Sequence, residues 1–78
     1  MTKQEKLLEQ ARSHPASLRF ADFETLLAES GWTRKRQRSS HRLWYSPHGH
    51  RLPIQNEDGQ AKPYQVRQFL TVYRSENP

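Results

Sequence analysis

The apolar positions of the chain fall into two helical stretches, a block of short strands and a third helical stretch. Near the start, Thr2-x-x-Glu5 has the form of a capping box. Gln4, Leu7, Leu8 and Ala11 follow at helical spacing, which predicts a short helix over residues 2–13 with a weak apolar face. Ser13 to Leu18 contains Pro15 and reads as a connector. Phe20, Phe23, Leu26, Leu27 and Ser30 then recur at helical intervals until Gly31, so a second helix is expected from about 20 to 30. Gly31 suits the C′ position, where positive φ carries no steric cost for glycine.

Beyond Gly31 the period changes. Trp32 to Gln37, His41 to Ser46 and Arg51 to Gln55 are short runs separated by Arg38-Ser39-Ser40 and Pro47-His48-Gly49, which supply turn chemistry. A meander of three antiparallel strands is expected. Period two puts Leu43 and Tyr45 on one face, Arg42 and Trp44 on the other, and Leu52 with Ile54 on a shared face. Asn56 to Lys62 reads as a polar loop, and Pro63 suits the first turn of a helix because its missing N–H would be unbonded there. Val66, Phe69, Leu70 and Tyr73 give that last helix its apolar face. The order α-α-β-β-β-α predicts an α+β domain, with helices covering one side of a three-stranded antiparallel sheet.

Composition limits what this scaffold can hold. Seventy-eight residues fit one small domain, and 32% are hydrophobic, enough for one thin core. With no cysteine, neither disulfides nor thiolate zinc sites can supplement it. No apolar run approaches the roughly 20 residues of a membrane span, and the first residues lack a signal-peptide apolar region, so a soluble cytoplasmic protein is expected. The net charge is +5 and its distribution is uneven. Met1 to Glu29 carries −1, Ser30 to Asn56 carries +6 with no acid, and Glu57 onward is neutral. Such a concentrated field steers polyanions, although a solvated hairpin would carry the same charges.

Few residues in that basic segment can do chemistry. The only adjacent acid pair, Glu57-Asp58, lies outside it, and there is no glycine-rich phosphate loop. Ser39-Ser40-His41 lacks a neighbouring acid to orient the imidazole as a nucleophile's base would require. His48-x-His50 flanks a turn without a visible third metal ligand and reads as solvated. His41 stands apart because it begins the central strand, with Arg36, Arg38 and Arg42 within five positions. An imidazole both accepts and donates a proton near neutral pH. That suits RNA cleavage, in which a base activates the ribose 2′-OH, an acid protonates the leaving 5′-oxygen and cations stabilise the phosphorane. A strand-end histidine satisfying a turn is the structural alternative. His41 has the parity of Leu43 and Tyr45, which directs it toward the helix side and requires it to sit at the rim. Trp44, of opposite parity, is the candidate for stacking on an unpaired base, or for packing on the stems of Arg34 or Arg36, whereas Trp32 reads as core.

Four segments together resemble the HicA family of toxins: Leu18-Arg19-Phe20-Ala21-Asp22, Gly31-Trp32, Arg36-Gln37-Arg38-Ser39-Ser40-His41-Arg42 and Ala61-Lys62-Pro63-Tyr64-Gln65-Val66-Arg67-Gln68. The resemblance spans Lys6 to Tyr73. It is closest to the subgroup with a leading extra helix and an A-K-P-Y-Q-V-[KR]-Q motif opening the last helix. It implies a fold like a double-stranded RNA-binding domain over residues 1–78, with 1–18 as the extra helix and connector. It also implies a toxin that cleaves mRNA without the ribosome and is neutralised by a HicB-like antitoxin, for which the basic segment predicts an acidic surface; the residues themselves suggest no cofactor, metal or membrane. Any DNA contact would run through the antitoxin complex. The family's catalytic histidine lies in a G-S-H motif, corresponding here to Ser39-Ser40-His41. The chain departs from that motif at Ser39, and carries Arg42 where many members have a second histidine. His41 is therefore the candidate catalyst, and Arg36, Arg38, Ser40, Arg42, Trp44 and Lys62 are the candidate RNA-binding residues. The rival expectation is a non-catalytic module that binds RNA or docks an antitoxin through the same basic sheet.

Overall fold

The computed structural model of the chain describes residues 2–35 and 41–78. Helix α1 (Lys3–Ser13) opens with the expected capping box: Glu5 N–H donates to Thr2 Oγ1 at 3.1 Å and Thr2 N–H to Glu5 Oε1 at 3.0 Å. The hydrogen bonds from Thr2 hold the Glu5 carboxyl below its ordinary value. The connector contains a 3₁₀ turn at Pro15–Ser17 and leads into α2 (Phe20–Glu29). Past α2, Trp32 N–H donates to Leu27 O and Gly31 N–H to Ala28 O, a Schellman closure made with Gly31 at φ 87°. Helix α3 (Pro63–Glu76) starts at the proline expected to begin it.

The sheet has four strands in sequential order rather than three: β1 (Thr33–Arg34), β2 (His41–Tyr45), β3 (Arg51–Glu57) and β4 (Gln60–Ala61), all antiparallel. The segment expected to be a polar loop is a tight hairpin. Glu57 pairs with Gln60 across Asp58 and Gly59, whose φ values of 53° and 86° match a two-residue turn of the primed type. β4 also receives the connector: Ala61 N–H donates to Leu18 O at 3.0 Å, and Phe20 N–H donates to Gly59 O at 2.9 Å.

Pairing alternates between bonded and non-bonded partners along an antiparallel ladder, which explains how β3 tolerates Pro53. Gln55 N–H donates to the Gln65 side chain at 2.9 Å, so it points away from β2. Pro53 has the same parity, and the N–H it lacks would point to a stretch of edge that β4 does not reach.

The helices cover one face only. Phe23, Leu26, Leu27, Trp32, Trp44, Leu52, Ile54, Val66 and Phe69 are buried in one core, with Phe69 in edge contact with Phe23 at 6.0 Å between ring centroids. α1 is fastened to this layer by Leu8 and Ala11 and by Gln4, whose amide donates to Ser30 Oγ at 3.3 Å and Tyr73 Oη at 3.2 Å. The result is an α+β architecture compatible with the double-stranded RNA-binding-domain-like fold. Among the described residues, no helix is long and apolar enough to cross a membrane.

Candidate active site on the open sheet face

Register decides which side chains share a surface. Arg42 lies opposite Ile54 and Trp44 opposite Leu52, so these four positions share the helix-facing side. His41, Leu43 and Tyr45, opposite Gln55, Pro53 and Arg51, share the open side. This reverses the expected faces. His41 does not point toward the helices; it is exposed, on the open side, at the first position of β2.

The same reversal corrects Trp44. Its side chain is only 6% exposed, packed among Leu52, Ile54 and the helices, and Nε1 donates to Glu24 Oε2 at 3.4 Å. A ring so enclosed cannot offer a face to a base, so Trp44 is a core residue rather than a stacking platform. Hydrophobicity alone could not fix the parity, because Leu43, Trp44 and Tyr45 are all apolar. The turn length could have done so. Residues 46–50 close on the Tyr45/Arg51 pair, which forces Trp44 opposite Leu52, already expected to be buried.

Arg42 is likewise directed away from His41. Its Nη1 donates to Glu24 Oε1 at 2.6 Å, and its guanidinium lies 5.5 Å from the centre of the Phe20 ring. Arg34 Nη1 is 3.8 Å from the other oxygen of the same carboxylate. A single acid on α2, 18 residues before Arg42, thus engages two of the six cations of the basic segment. Arg42 and His41 are therefore not brought together on one face. Arg36, Arg38 and Ser40, named as phosphate or RNA contacts, lie outside the described residues, as does Ser39.

At the His41 end of the sheet, β3 and the start of α3 converge. Gln55, opposite His41, donates its N–H to Gln65 Oε1, and Gln65 Nε2 donates to Tyr64 Oη at 3.3 Å. Gln65 is 5% exposed and acts as a substitute for the missing β4 partner. Lys62, the N-cap of α3, reaches Glu57 Oε2 at 3.4 Å at this end. On the open face, Lys35 Nζ sits 5.5 Å from the centre of the Tyr45 ring. Glu24, Gln55 and Gln65 were not singled out in sequence, since their roles depend on contacts across the fold.

The family model described as the HicA toxin of bacterial toxin-antitoxin matches residues 20–72. The chain belongs to the HicA toxin family. The match takes in α2, the whole sheet with His41, and most of α3, and leaves α1 outside. No curated protein and no solved structure matches the chain.

At the opposite end of the β2–β3 hairpin, a partly buried polar cluster fastens this HicA family member's turn to the end of α3. Ser46 Oγ donates to Glu76 Oε2 at 2.6 Å, His50 Nδ1 lies 2.7 Å from the same oxygen, and His50 N–H donates to Ser46 Oγ at 2.8 Å. Burial pushes the Glu76 carboxyl up, but the hydrogen bonds from Ser46 and His50 and the nearby His48 and His50 outweigh it and hold the group below its ordinary value. The serine bonds the acid rather than the imidazole nitrogen, so the cluster is a clamp and not a nucleophile–base pair. Among the described residues, no group of three or more His, Asp or Glu side chains could hold a metal ion.

Proposed function

We propose that this HicA family toxin is a metal-independent endoribonuclease that cleaves mRNA through His41. The observation that carries the reading is the position of His41: exposed, on the side of the sheet that none of the described helices covers, at the strand position where the family motif places its histidine. In the proposed reaction the imidazole accepts the proton of a ribose 2′-OH. The 2′-oxygen attacks the adjacent phosphorus, the P–O5′ bond breaks, and a protonated acid returns a proton to the leaving 5′-oxygen. The products are a 2′,3′-cyclic phosphate and a 5′-hydroxyl end. Arg36 and Arg38, two positions apart on the chain just before His41, are the proposed cations for the developing phosphorane charge, with Ser40 and Lys62 as further backbone contacts.

A free ribonuclease of this kind needs a separate inhibitor, and the proposed one is an acidic HicB-like antitoxin docking over the Ser30–Asn56 segment that carries His41. Charge complementarity of this sort mainly accelerates association.

The test is tightly induced expression of wild type and His41→Ala, with growth and mRNA integrity followed. General acid/base groups contribute about 10² to 10⁴-fold, so the variant should permit growth and leave mRNA intact while keeping the wild-type fold. A folded His41→Ala protein that still arrests growth and fragments mRNA at the wild-type rate would overturn the assignment.

A further inference from the structure

Four arginines gather on the flank of α3: Arg12, Arg67 and Arg74, remote in sequence from the basic middle segment, and Arg51 from its end. One groove of about 340 Å³ runs between α1 and α3 and is lined by Arg12, Arg67, Leu70, Thr71 and Arg74. A second, of about 330 Å³, runs between α3 and the bare edge of β3, with Arg51, Tyr64, Arg67, Gln68 and Thr71 in its lining. Arg67 and Thr71 line both grooves, so the two form one continuous surface. No carboxylate lines either groove, and among the described residues none of the four guanidinium groups is in an ion pair. Tyr64, 54% exposed, is the exposed large hydrophobic side chain of the surface.

We propose that this surface is a second nucleic-acid site, a track for the sugar–phosphate backbone of single-stranded RNA leaving the sheet face. The identity of the polymer rests on the ribonuclease reading. Three features favour RNA over an acidic protein. Unpaired guanidinium groups offer planar forks that match phosphate oxygens. The half-exposed Tyr64 ring provides a face on which a base can stack. Besides Tyr64, the aliphatic side chains lining the grooves are Leu52, Leu70 and Val72, of which Leu52 belongs to the core, which is little for the centre of a protein interface.

Continuity supplies the route. Arg51 pairs with Tyr45, on the face that carries His41, and also lines the second groove. From Gln55, opposite His41, to Arg51 is roughly 13 Å along β3. Arg67 and Arg74 then extend the track by about 10 Å along α3. Arg12 and Arg74 lie outside the residues matched by the family model, so part of the track is built beyond the matched region.

The experiment measures anisotropy of a labelled 20-nucleotide 2′-O-methyl RNA, which cannot undergo 2′-OH attack, at 50 to 200 mM KCl. The proteins are wild type, R12Q/R67Q/R74Q and R12K/R67K/R74K. Losing three phosphate contacts should reduce the slope of log K against log[salt] by about 2, so wild type should lose about 20-fold more affinity than the glutamine variant across that range. The lysine variant should keep the wild-type slope, and Arg67→Gln alone should lower it by about 0.7. Equal slopes for wild type and R12Q/R67Q/R74Q, or no salt-dependent binding by wild type, would overturn the proposal. So would a glutamine variant that binds RNA normally but loses a co-expressed antitoxin, which would make the surface a protein interface. If His41→Ala stays toxic while the slopes differ as expected, the assignment of His41 as catalyst falls and the track stands. If His41→Ala is harmless and the slopes are equal, the track alone falls.

Discussion

Glu76→Gln should destabilise the fold in a pH-dependent way, and the size of the effect follows from the clamp it belongs to. The Glu76 side chain is 6% exposed and one of its oxygens meets both Ser46 Oγ and His50 Nδ1. A hydrogen bond to a charged group contributes about 1.5 to 3 kcal/mol, and an exposed ion pair about 0 to 1. The Ser46 bond belongs to the first class, and the His50 contact, with that ring 55% exposed, is nearer the second. Glutamine retains the shape and a weaker acceptor, so a loss of about 1 to 2 kcal/mol is expected at neutral pH. For a domain of this size that corresponds to a melting temperature lower by roughly 4 to 16 °C. The Glu76 carboxyl is held below its ordinary value in the folded state, so its contribution is present above the unfolded value near 4.3 and is lost as pH falls through the lower folded value. Thermal melts of wild type and Glu76→Gln should therefore be well separated at pH 7 and converge as the pH is lowered below about 4.3. Coincident melts at pH 7, or a separation that persists undiminished into acid, would refute the clamp.

The remaining predictions address the site and its support. Cleavage should persist in excess EDTA and stop when the ribose 5′ to the cut is 2′-deoxy; activity lost in chelator and restored by a divalent ion would defeat the proposed mechanism. Trp44→Ala should cost about 3 to 5 kcal/mol by denaturant unfolding, as for other buried aromatics, whereas Trp44→Phe should fold and leave RNA affinity unchanged, since the ring is core. Gln65→Ala would strand the Gln55 N–H and should cost about 1 to 3 kcal/mol, read as a lower urea midpoint with an unchanged m-value.

The three helices were legible because each carries both a periodic face and a local punctuation mark: the Thr2/Glu5 box, Gly31 and Pro63. Long helices with caps advertise themselves locally. The sheet was legible only in outline. His41–Tyr45 offers apolar side chains on both parities, so the face that becomes core is chosen by its partner strand, through the pairing of Trp44 with Leu52 and Arg42 with Ile54. β4 went unseen because Gln60 and Ala61 have no strand character of their own, yet the Asp58-Gly59 pair is a hairpin signal that its polar neighbours masked. In the candidate site, His41 was singled out from residue type, position and family motif. Glu24 could not be found that way, because an acid on α2 meets Arg34 and Arg42 only after the helix has packed across the sheet.

That carboxylate changes the meaning of the charge count. In sequence, six cations stand together between Ser30 and Asn56 with no acid among them. In the fold, Arg34 and Arg42 turn to the helix side and share Glu24, while Lys35 and Arg51 remain with the open side or its edge. Arg12, Arg67 and Arg74, from segments whose own net charge is −1 or zero, join Arg51 along α3. A polyanion responds to the field at the surface and not to the order of residues in the chain. The alternation of β2 therefore has an electrostatic consequence as well as a packing one. By sending Arg42 inward to Glu24 and His41 outward, it leaves the imidazole on the side of the sheet opposite that carboxylate.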